Sequence, residues 1–226
     1  MRKRVSFILK ILTFAVILLG VVLNLIYAKY DGYSHWTKRL FYFTTQSNLW
    51  IVIMYAILIV YPFTKSGKAG KGVESVYTAK YIFSVSIAMT GIVYCCFLGP
   101  FADSSYHPWS INSLLSHAIG PVLATVEFFV DDTSIKIDAK RIWAVAVPSL
   151  CYFLLVMFLS AFNFDFGRGE PYPYFFMNFH SPAGFFGFSN VMPYMVGTFY
   201  WILLLLLMML GVGLLFSKIK NRKAKK

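Results

Sequence analysis

The residues best suited to chemistry are hydroxyl, amide and imidazole side chains at the start of two apolar segments. Thr44, Ser47 and Asn48 stand at positions i, i+3 and i+4, so on a helix they share one face. Ser113 and His117 begin the other segment, and His117 falls roughly one turn, about 5 Å, inside it. A hydroxyl group beside a neutral imidazole can act as a nucleophile, because the imidazole takes its proton. We therefore predict a polar cleft between the two segments, with a functional His117.

Ordinary structural roles compete with this interpretation. Threonine and asparagine near helix starts often serve as caps or hydrogen-bond to neighbouring helices. His35, His107 and His180 fall in connections between apolar segments, where exposed histidines are common. The four histidines are all predicted on one side of the membrane. Other polar residues are predicted on that same side: Asn24, Asp103, Ser104, Ser105, Asp165, Glu170 and Asn178.

The composition predicts a membrane protein. Of the 226 residues, 58% are hydrophobic and 13% are charged, whereas soluble domains carry about 25% charged residues. Six apolar runs are each close to the roughly 20 residues that span a bilayer, and they cover residues 11–28, 44–61, 81–98, 114–130, 142–164 and 192–216. The sequence thus predicts an all-α integral membrane protein, a bundle of six transmembrane helices.

The bundle is expected to form a single domain over residues 1–226, with a basic tail at 217–226. A β-barrel is not expected, because the runs are continuously apolar and lack an alternating pattern. A secreted disulfide scaffold is not expected either, since Cys95, Cys96 and Cys151 all fall in apolar runs.

The basic residues predict an orientation. Of the 21 Lys and Arg residues, 17 fall in segments that share one side of the membrane, and only Lys29, Lys38, Arg39 and Arg168 fall on the other. The positive-inside rule then places both termini in the cytoplasm. The basic segments would attract anionic lipid headgroups at the cytoplasmic face, so the charge of +12 requires no nucleic acid. The short loops favour a plasma membrane of the bacterial inner-membrane type.

Two further features carry expectations. Glu127 interrupts the fourth apolar run near its inner end, and we expect it to snorkel or to pair with Lys140 or Arg141. Residues 163–191 form a long connection rich in Phe and Tyr. Aromatic rings settle at the headgroup level, so this segment is predicted to be either a surface belt or a lid that guides an acyl chain.

Three short motifs resemble those of a known family. They are the Thr44 region, the stretch 113–121 that contains His117, and the turn Glu-Pro-Tyr-Pro-Tyr-Phe at 170–175. In this order and spacing they resemble the androgen-induced and androgen-dependent TFPI-regulating (FAR-17a-like) family of multispanning membrane hydrolases and related bacterial membrane proteins. The resemblance implies hydrolysis of fatty-acyl esters at the outer leaflet, with Thr44 as the nucleophile and His117 as the base. The adjacent Thr45 is an alternative nucleophile, and the residues after Tyr174 lack an expected acidic residue.

The implied mechanism assigns roles to further residues. The Asn48 or Gln46 amide would stabilise the oxyanion that forms on attack. Ser113, Asn24, Tyr172 and Tyr174 complete the predicted substrate site. The substrate is expected to be a membrane lipid, and neither a metal nor another cofactor is expected.

Two alternatives remain open from the sequence. One is a metal-dependent, ceramidase-like hydrolase, suggested by the one-sided histidines, Asp103 and the spacing of Ser113 and His117, although no His-x-x-x-His pair is present. The other is a lipid-binding or transport protein without enzymatic activity, in which the cleft is a binding site.

Overall fold

The chain forms a bundle of six long helices. The computed structural model describes residues 2–100, 110–131 and 136–223, so the predicted polar residues Asp103, Ser104, Ser105 and His107 lie outside the described part. The helices are α1 (Arg2–Ile26), α2 (Phe43–Val60), α3 (Val73–Val93), α4 (Ile111–Val130), α5 (Ala139–Ala161) and α6 (Thr198–Lys223). Six helices are long and apolar enough to cross a membrane, and the described residues contain no β-strand. The predicted fold class, a multi-pass all-α membrane protein, is confirmed.

Several helices differ in extent from the apolar runs that predicted them. α3 begins at Val73 rather than at 81, and α6 covers Thr198–Lys223 rather than 192–216. Most of the predicted basic tail at 217–226 is therefore helical. The reason is that hydropathy marks the part of a helix that lies in hydrocarbon, whereas backbone hydrogen bonds continue through polar residues beyond it.

Three buried clusters hold the described part of the bundle together, and the third lies at the connection between α5 and α6. α1, α2, α3 and α4 meet around a core that includes Ile17, Ile51, Tyr55, Ile87 and Ala124. α6 packs against α3 and α5, and this second core contains Tyr81, Val85, Phe128, Val145, Met209 and Phe216. Large apolar side chains of α5, such as those of Leu154 and Phe158, are exposed. This surface suits contact with lipid chains.

α3 and α4 come close together where both helices widen into a π-helical turn. The turn of α4 covers Leu115–Ile119, and the turn that continues α3 covers Tyr94–Leu98. Pro121 has no N–H, so it cannot bond the carbonyl of His117 as a regular helix would, and this explains the widened turn of α4. A methyl group added at Gly91 would lie 3.1 Å from the His117 carbonyl oxygen and 3.1 Å from Pro121 Cβ. The glycine thus allows α3 to approach the backbone that carries His117.

We expect Gly91→Val to destabilise the protein by about 1–3 kcal/mol, because the added carbons would push α3 away from α4. Gly211→Val is the matched control, since Gly211 lies in α6 with no atom within 4 Å of an added Cβ. Both variants carry the same change in helix propensity. Thermal unfolding midpoints in detergent measure the difference, and equal midpoints for the two variants would contradict the close-packing argument.

The start of α1 and the end of α6 lie at the same end of the bundle. Lys10 of α1 forms an ion pair with Asp131 (Nζ to Oδ1, 3.0 Å), and Lys220 of α6 donates to the Asp131 carbonyl at 2.6 Å. We call this the basic end, and the opposite end, where α2 begins, the cavity end. That the basic end faces the cytoplasm stays a prediction.

Glu127 does not behave as predicted. It is fully buried, and its carboxylate forms ion pairs with Lys80 at 2.7 Å and with Lys10 at 3.1 Å. The carboxylate also accepts a hydrogen bond from the Tyr55 hydroxyl at 2.9 Å. Arg141 pairs instead with the exposed Glu74. The prediction considered basic residues that are close in sequence, whereas Lys10 and Lys80 are brought to Glu127 by the packing of three different helices.

Asp131 extends this buried charge network by one turn. Burial alone would raise the pKa of its carboxyl, but the ammonium groups of Lys80 and Lys10 hold that pKa well below its ordinary value. Lys220 completes the network by donating to the carbonyl oxygens of Phe128 at 3.1 Å and Asp131 at 2.6 Å, where α4 ends. The network therefore joins α1, α3, α4 and α6 at the basic end.

Candidate active site

A polar cavity of about 330 Å³ opens at the cavity end of the bundle. Its walls come from the end of α1, the short 3₁₀ helix Trp36–Phe41, the start of α2, the π-helical turns and the connection between α5 and α6. The predicted site residues that line it are Asn24, Thr44, His117, Tyr172 and Tyr174. The predicted cleft between α2 and α4 thus exists, and residues 170–175 form its third side.

An apolar cavity of about 50 Å³ lies next to the polar one. It is lined mainly by apolar side chains, among them Phe43, Met89, Val93, Phe153, Met177 and Leu205. The two cavities share Thr44, Leu98 and Tyr174 in their walls. Thr44 therefore lies where a polar chamber meets an apolar one.

Thr44 is held at the start of α2 by a tyrosine from the connection between α5 and α6. The first backbone N–H groups of a helix have no partner within it, and the Thr44 N–H donates to the Tyr174 hydroxyl at 3.3 Å. Burial raises the pKa of Tyr174 to about 12, and hydrogen bonds from the Thr44 side chain and backbone act in the opposite direction. Tyr174 therefore stays protonated at neutral pH and positions Thr44.

The imidazole of His117 is held in one orientation. Its Nδ1 lies 2.9 Å from the Ser113 carbonyl oxygen, and its ring stacks on Tyr94 with centroids 4.0 Å apart. A carbonyl oxygen only accepts, so Nδ1 carries the proton and Nε2 keeps a free lone pair. Ser113 is buried behind this ring, and its hydroxyl lies 2.9 Å from that of Tyr94. The arrangement presents the tautomer that a general base requires.

Thr44 and His117 line the same cavity. Among the described residues no hydrogen bond joins the two side chains. A bridging water molecule or a substrate group is therefore needed to pass a proton from the hydroxyl to Nε2. Thr45, the alternative nucleophile, also lines the polar cavity, and its hydroxyl is buried without a partner among the described residues. Unlike Thr44, Thr45 has no part in the wall of the apolar cavity.

The two amides predicted to stabilise an oxyanion lie elsewhere. Asn48 Nδ2 donates to the carbonyl oxygens of Thr44 at 2.7 Å and Ser116 at 3.2 Å, so it joins α2 to α4. Gln46 Nε2 donates to the Leu40 carbonyl at 3.1 Å. Neither residue lines the polar cavity. Helical spacing placed Asn48 on the correct helix face, but that face is covered by α4 instead of opening to the cavity.

Arg39 lines the polar cavity and was not among the predicted site residues. It lies in the 3₁₀ helix Trp36–Phe41 and is 7% exposed, with Nη1 bonded to Asn24 Oδ1 and Nη2 paired with Asp31. In the sequence it was counted as one of four cations in outer loops. The aromatic residues on both sides of it, Trp36 and Phe41, were the available signal that this loop is packed rather than solvated.

The aromatic connection between α5 and α6 has two different halves. Phe166, Phe176 and Met177 are buried against α5 and α6, so this half belongs to the protein core. Phe186 and Phe188 are 62% and 71% exposed, which fits the predicted surface belt. His35 and His180 are exposed, as predicted for loop histidines.

In the described ranges no three His, Cys, Asp or Glu side chains come close enough together to hold a metal ion. The alternative of a metal-dependent hydrolase thus lacks a donor set in this part of the chain. Comparisons of the chain with models of protein families, with curated proteins and with solved structures find no match.

Proposed function

We propose that this protein is a membrane-embedded hydrolase of fatty-acyl esters, with Thr44 as the nucleophile and His117 as the general base. The observation that carries the proposal is the position of Thr44 in the walls of both cavities. An ester has a polar carbonyl between an apolar acyl chain and a polar alcohol part. With the first carbons of the acyl chain in the apolar cavity and the alcohol part in the polar cavity, the carbonyl lies at Thr44.

The proposed reaction has two steps. In the first, the Thr44 oxygen attacks the ester carbonyl carbon while its proton passes to His117 Nε2 through a bridging water molecule or a substrate group. The tetrahedral intermediate collapses, the alcohol leaves with the proton from His117, and an acyl-threonine remains. In the second step His117 takes a proton from a water molecule, which attacks the acyl group and releases the fatty acid and the Thr44 hydroxyl.

The proposed orientation places this site at the extracytoplasmic headgroup level of a plasma membrane, because the positive-inside rule assigns the basic end to the cytoplasm. Water reaches the acyl-enzyme through the open polar cavity. Asn48 and Gln46 do not line that cavity and are not proposed as donors to the oxyanion.

Covalent labelling tests the proposal. The full chain, purified in detergent, is treated with an alkyl fluorophosphonate, and the modified residue is identified by mass spectrometry. We expect one adduct, on Thr44, whose formation is blocked by prior incubation with a long-chain ester. The phosphonyl group is small enough for the junction of the cavities, and its alkyl chain enters the apolar one.

His117→Ala should slow the labelling, because the unassisted hydroxyl is a weak nucleophile. An adduct confined to Thr45 would identify Thr45, rather than Thr44, as the nucleophile. Binding of the ester without labelling or turnover would support the lipid-binding alternative and contradict the hydrolase.

A further inference from the structure

Two buried polar atoms belong to residues that line the polar cavity and lack a hydrogen-bond partner among the described residues. They are Nε of Arg39 and Oγ1 of Thr45, on side chains of residues that are 7% and 1% exposed. Native proteins leave few buried donors unpaired, and each such atom calls for an explanation. A ligand in the cavity that carries strong acceptor atoms provides one.

The Arg39 guanidinium is fixed in place by the protein. Nη1 donates to Asn24 Oδ1, Nη2 pairs with Asp31, and the guanidinium carbon lies 4.2 Å from the centroid of the Tyr33 ring. Two of its three nitrogen atoms are thereby bound to protein groups. The orientation is set before any ligand arrives, which lowers the entropy cost of binding.

A second guanidinium packs on the ring that Arg39 contacts. Arg168 packs on the same Tyr33 ring, with its guanidinium carbon 4.7 Å from the centroid, and it also lines the polar cavity. Glu170 is the acidic residue among the described residues of that wall. The Asp31 carboxylate is already engaged by Arg39 and by Asn112 Nδ2, the latter at 3.1 Å. The wall itself carries two guanidinium groups and one carboxylate, and Asp31 pairs with Arg39 from outside the wall. The Arg39 Nε that this pairing leaves without a partner among the described residues favours a ligand with acceptor atoms.

The depth and shape of this site favour a phosphate group. Arg39 and Arg168 fall just outside the spans Phe43–Phe63 and Ala139–Ala161, at the level where a bilayer presents its phosphates. Donors converge from three separate segments, at Arg39, Thr45 and Arg168. A tetrahedral phosphate offers acceptor oxygens in several directions, and guanidinium groups bind it well.

We propose that the polar cavity binds an anionic phosphate group at Arg39, Thr45 and Arg168, carried by a phospholipid headgroup or present as free phosphate. The binding itself does not depend on catalysis. The identity of the substrate rests in addition on the proposed function: when the phosphate is that of a phospholipid, the ester cleaved at Thr44 belongs to one of its acyl chains.

Thermal unfolding of the full chain in dodecyl maltoside, without phosphate buffer, tests the site. We expect dioleoylphosphatidylglycerol to raise the unfolding midpoint in a concentration-dependent way, and dioleoylglycerol, which lacks the phosphate, to have a much smaller effect. Arg168→Gln and Thr45→Val should each raise the apparent Kd for the phospholipid about tenfold, since each removes a hydrogen bond to a charged group. Thr45→Val also removes a buried unpaired hydroxyl, so the midpoint without lipid should not fall.

Lys29→Gln is the matched control, because it removes one positive charge from an exposed residue at the same end, outside the polar cavity. It should keep the wild-type Kd. Inorganic phosphate that stabilises the wild type but not Arg168→Gln would identify free phosphate as the ligand, and a response to the phospholipid alone would identify the headgroup. Equal stabilisation by the two lipids, or an unchanged Kd in both cavity variants, would overturn the proposal.

Turnover of a phosphate-free ester in the same preparations separates this inference from the proposed function. Turnover without phosphate binding would contradict only the proposed phosphate site. Phosphate binding without turnover would contradict only the proposed hydrolase function.

Discussion

Replacing Thr44 or His117 by alanine is expected to abolish ester hydrolysis. Loss of a general base lowers turnover by roughly 10²–10⁴-fold. Loss of the nucleophile should cost at least as much, because it removes the covalent route altogether. Initial rates with a short-chain 4-nitrophenyl ester, measured on purified protein in detergent, check both variants. The two losses should not add in the double variant, since Thr44 and His117 act in the same step.

Thr125→Ala is the control for this prediction. Thr125 lies on α4 like His117, but its hydroxyl bonds the Pro121 carbonyl within the helix at 2.8 Å, and it lines neither cavity. It should keep wild-type rates. Near-wild-type rates in both Thr44→Ala and His117→Ala, with unchanged unfolding midpoints, would refute the proposed catalytic pair. Activity lost only in Thr45→Ala would instead assign the nucleophile to Thr45.

The largest effect on stability is expected from Glu127→Ala. The change leaves the ammonium groups of Lys10 and Lys80 buried with only Asp131 to balance them, and the Tyr55 hydroxyl loses its acceptor. Removing one partner of a buried ion pair costs about 3–5 kcal/mol. Reversible unfolding in mixed micelles, followed by circular dichroism, measures the change in the free energy of unfolding.

Glu74→Ala provides the comparison, because Glu74 also pairs with a basic residue, Arg141, but its side chain is 71% exposed. Exposed pairs contribute about 0–1 kcal/mol, so this variant should unfold almost as the wild type does. Combining Glu127→Leu with Lys80→Met should recover much of the lost stability, since it replaces buried charges by apolar groups. Equal destabilisation by Glu127→Ala and Glu74→Ala would show that the network contributes little.

The site shows which features helical spacing in the sequence can predict and which it cannot. The positions of Thr44, at the start of one apolar run, and of His117, about one turn inside another, predicted a polar cleft between the two segments, and both residues line one cavity. Helical spacing also predicted that Asn48 would join them, yet α4 covers its face. Spacing specifies which residues share a face of one helix, but the neighbouring helix decides which part of that face stays open.

Arg39 and Glu127 show that the sequence also fails to predict the environment of some charged residues. In the sequence Arg39 is a loop cation, and Glu127 is an acid near a helix end that was expected to snorkel or to pair with Lys140 or Arg141. In the fold Arg39 is held by the Tyr33 ring and by Asp31, and Glu127 by lysines from two other helices. Lys10 and Lys80 are far from Glu127 in the chain, so no local pattern could name them. Asp31 and Tyr33 precede Arg39 closely, but only the folded connection between α1 and α2 brings them against its guanidinium.

The sequence by itself determined that the chain crosses a membrane six times as helices, because the cost of exposing backbone and charge to hydrocarbon depends on composition and length alone. Only the tertiary structure decided which buried charges pair, where the cavities open and that Thr44 lies between them. Those features arise from contacts between helices, and within a bilayer such contacts depend on the shapes of the packed surfaces rather than on hydropathy, which is similar for every spanning helix.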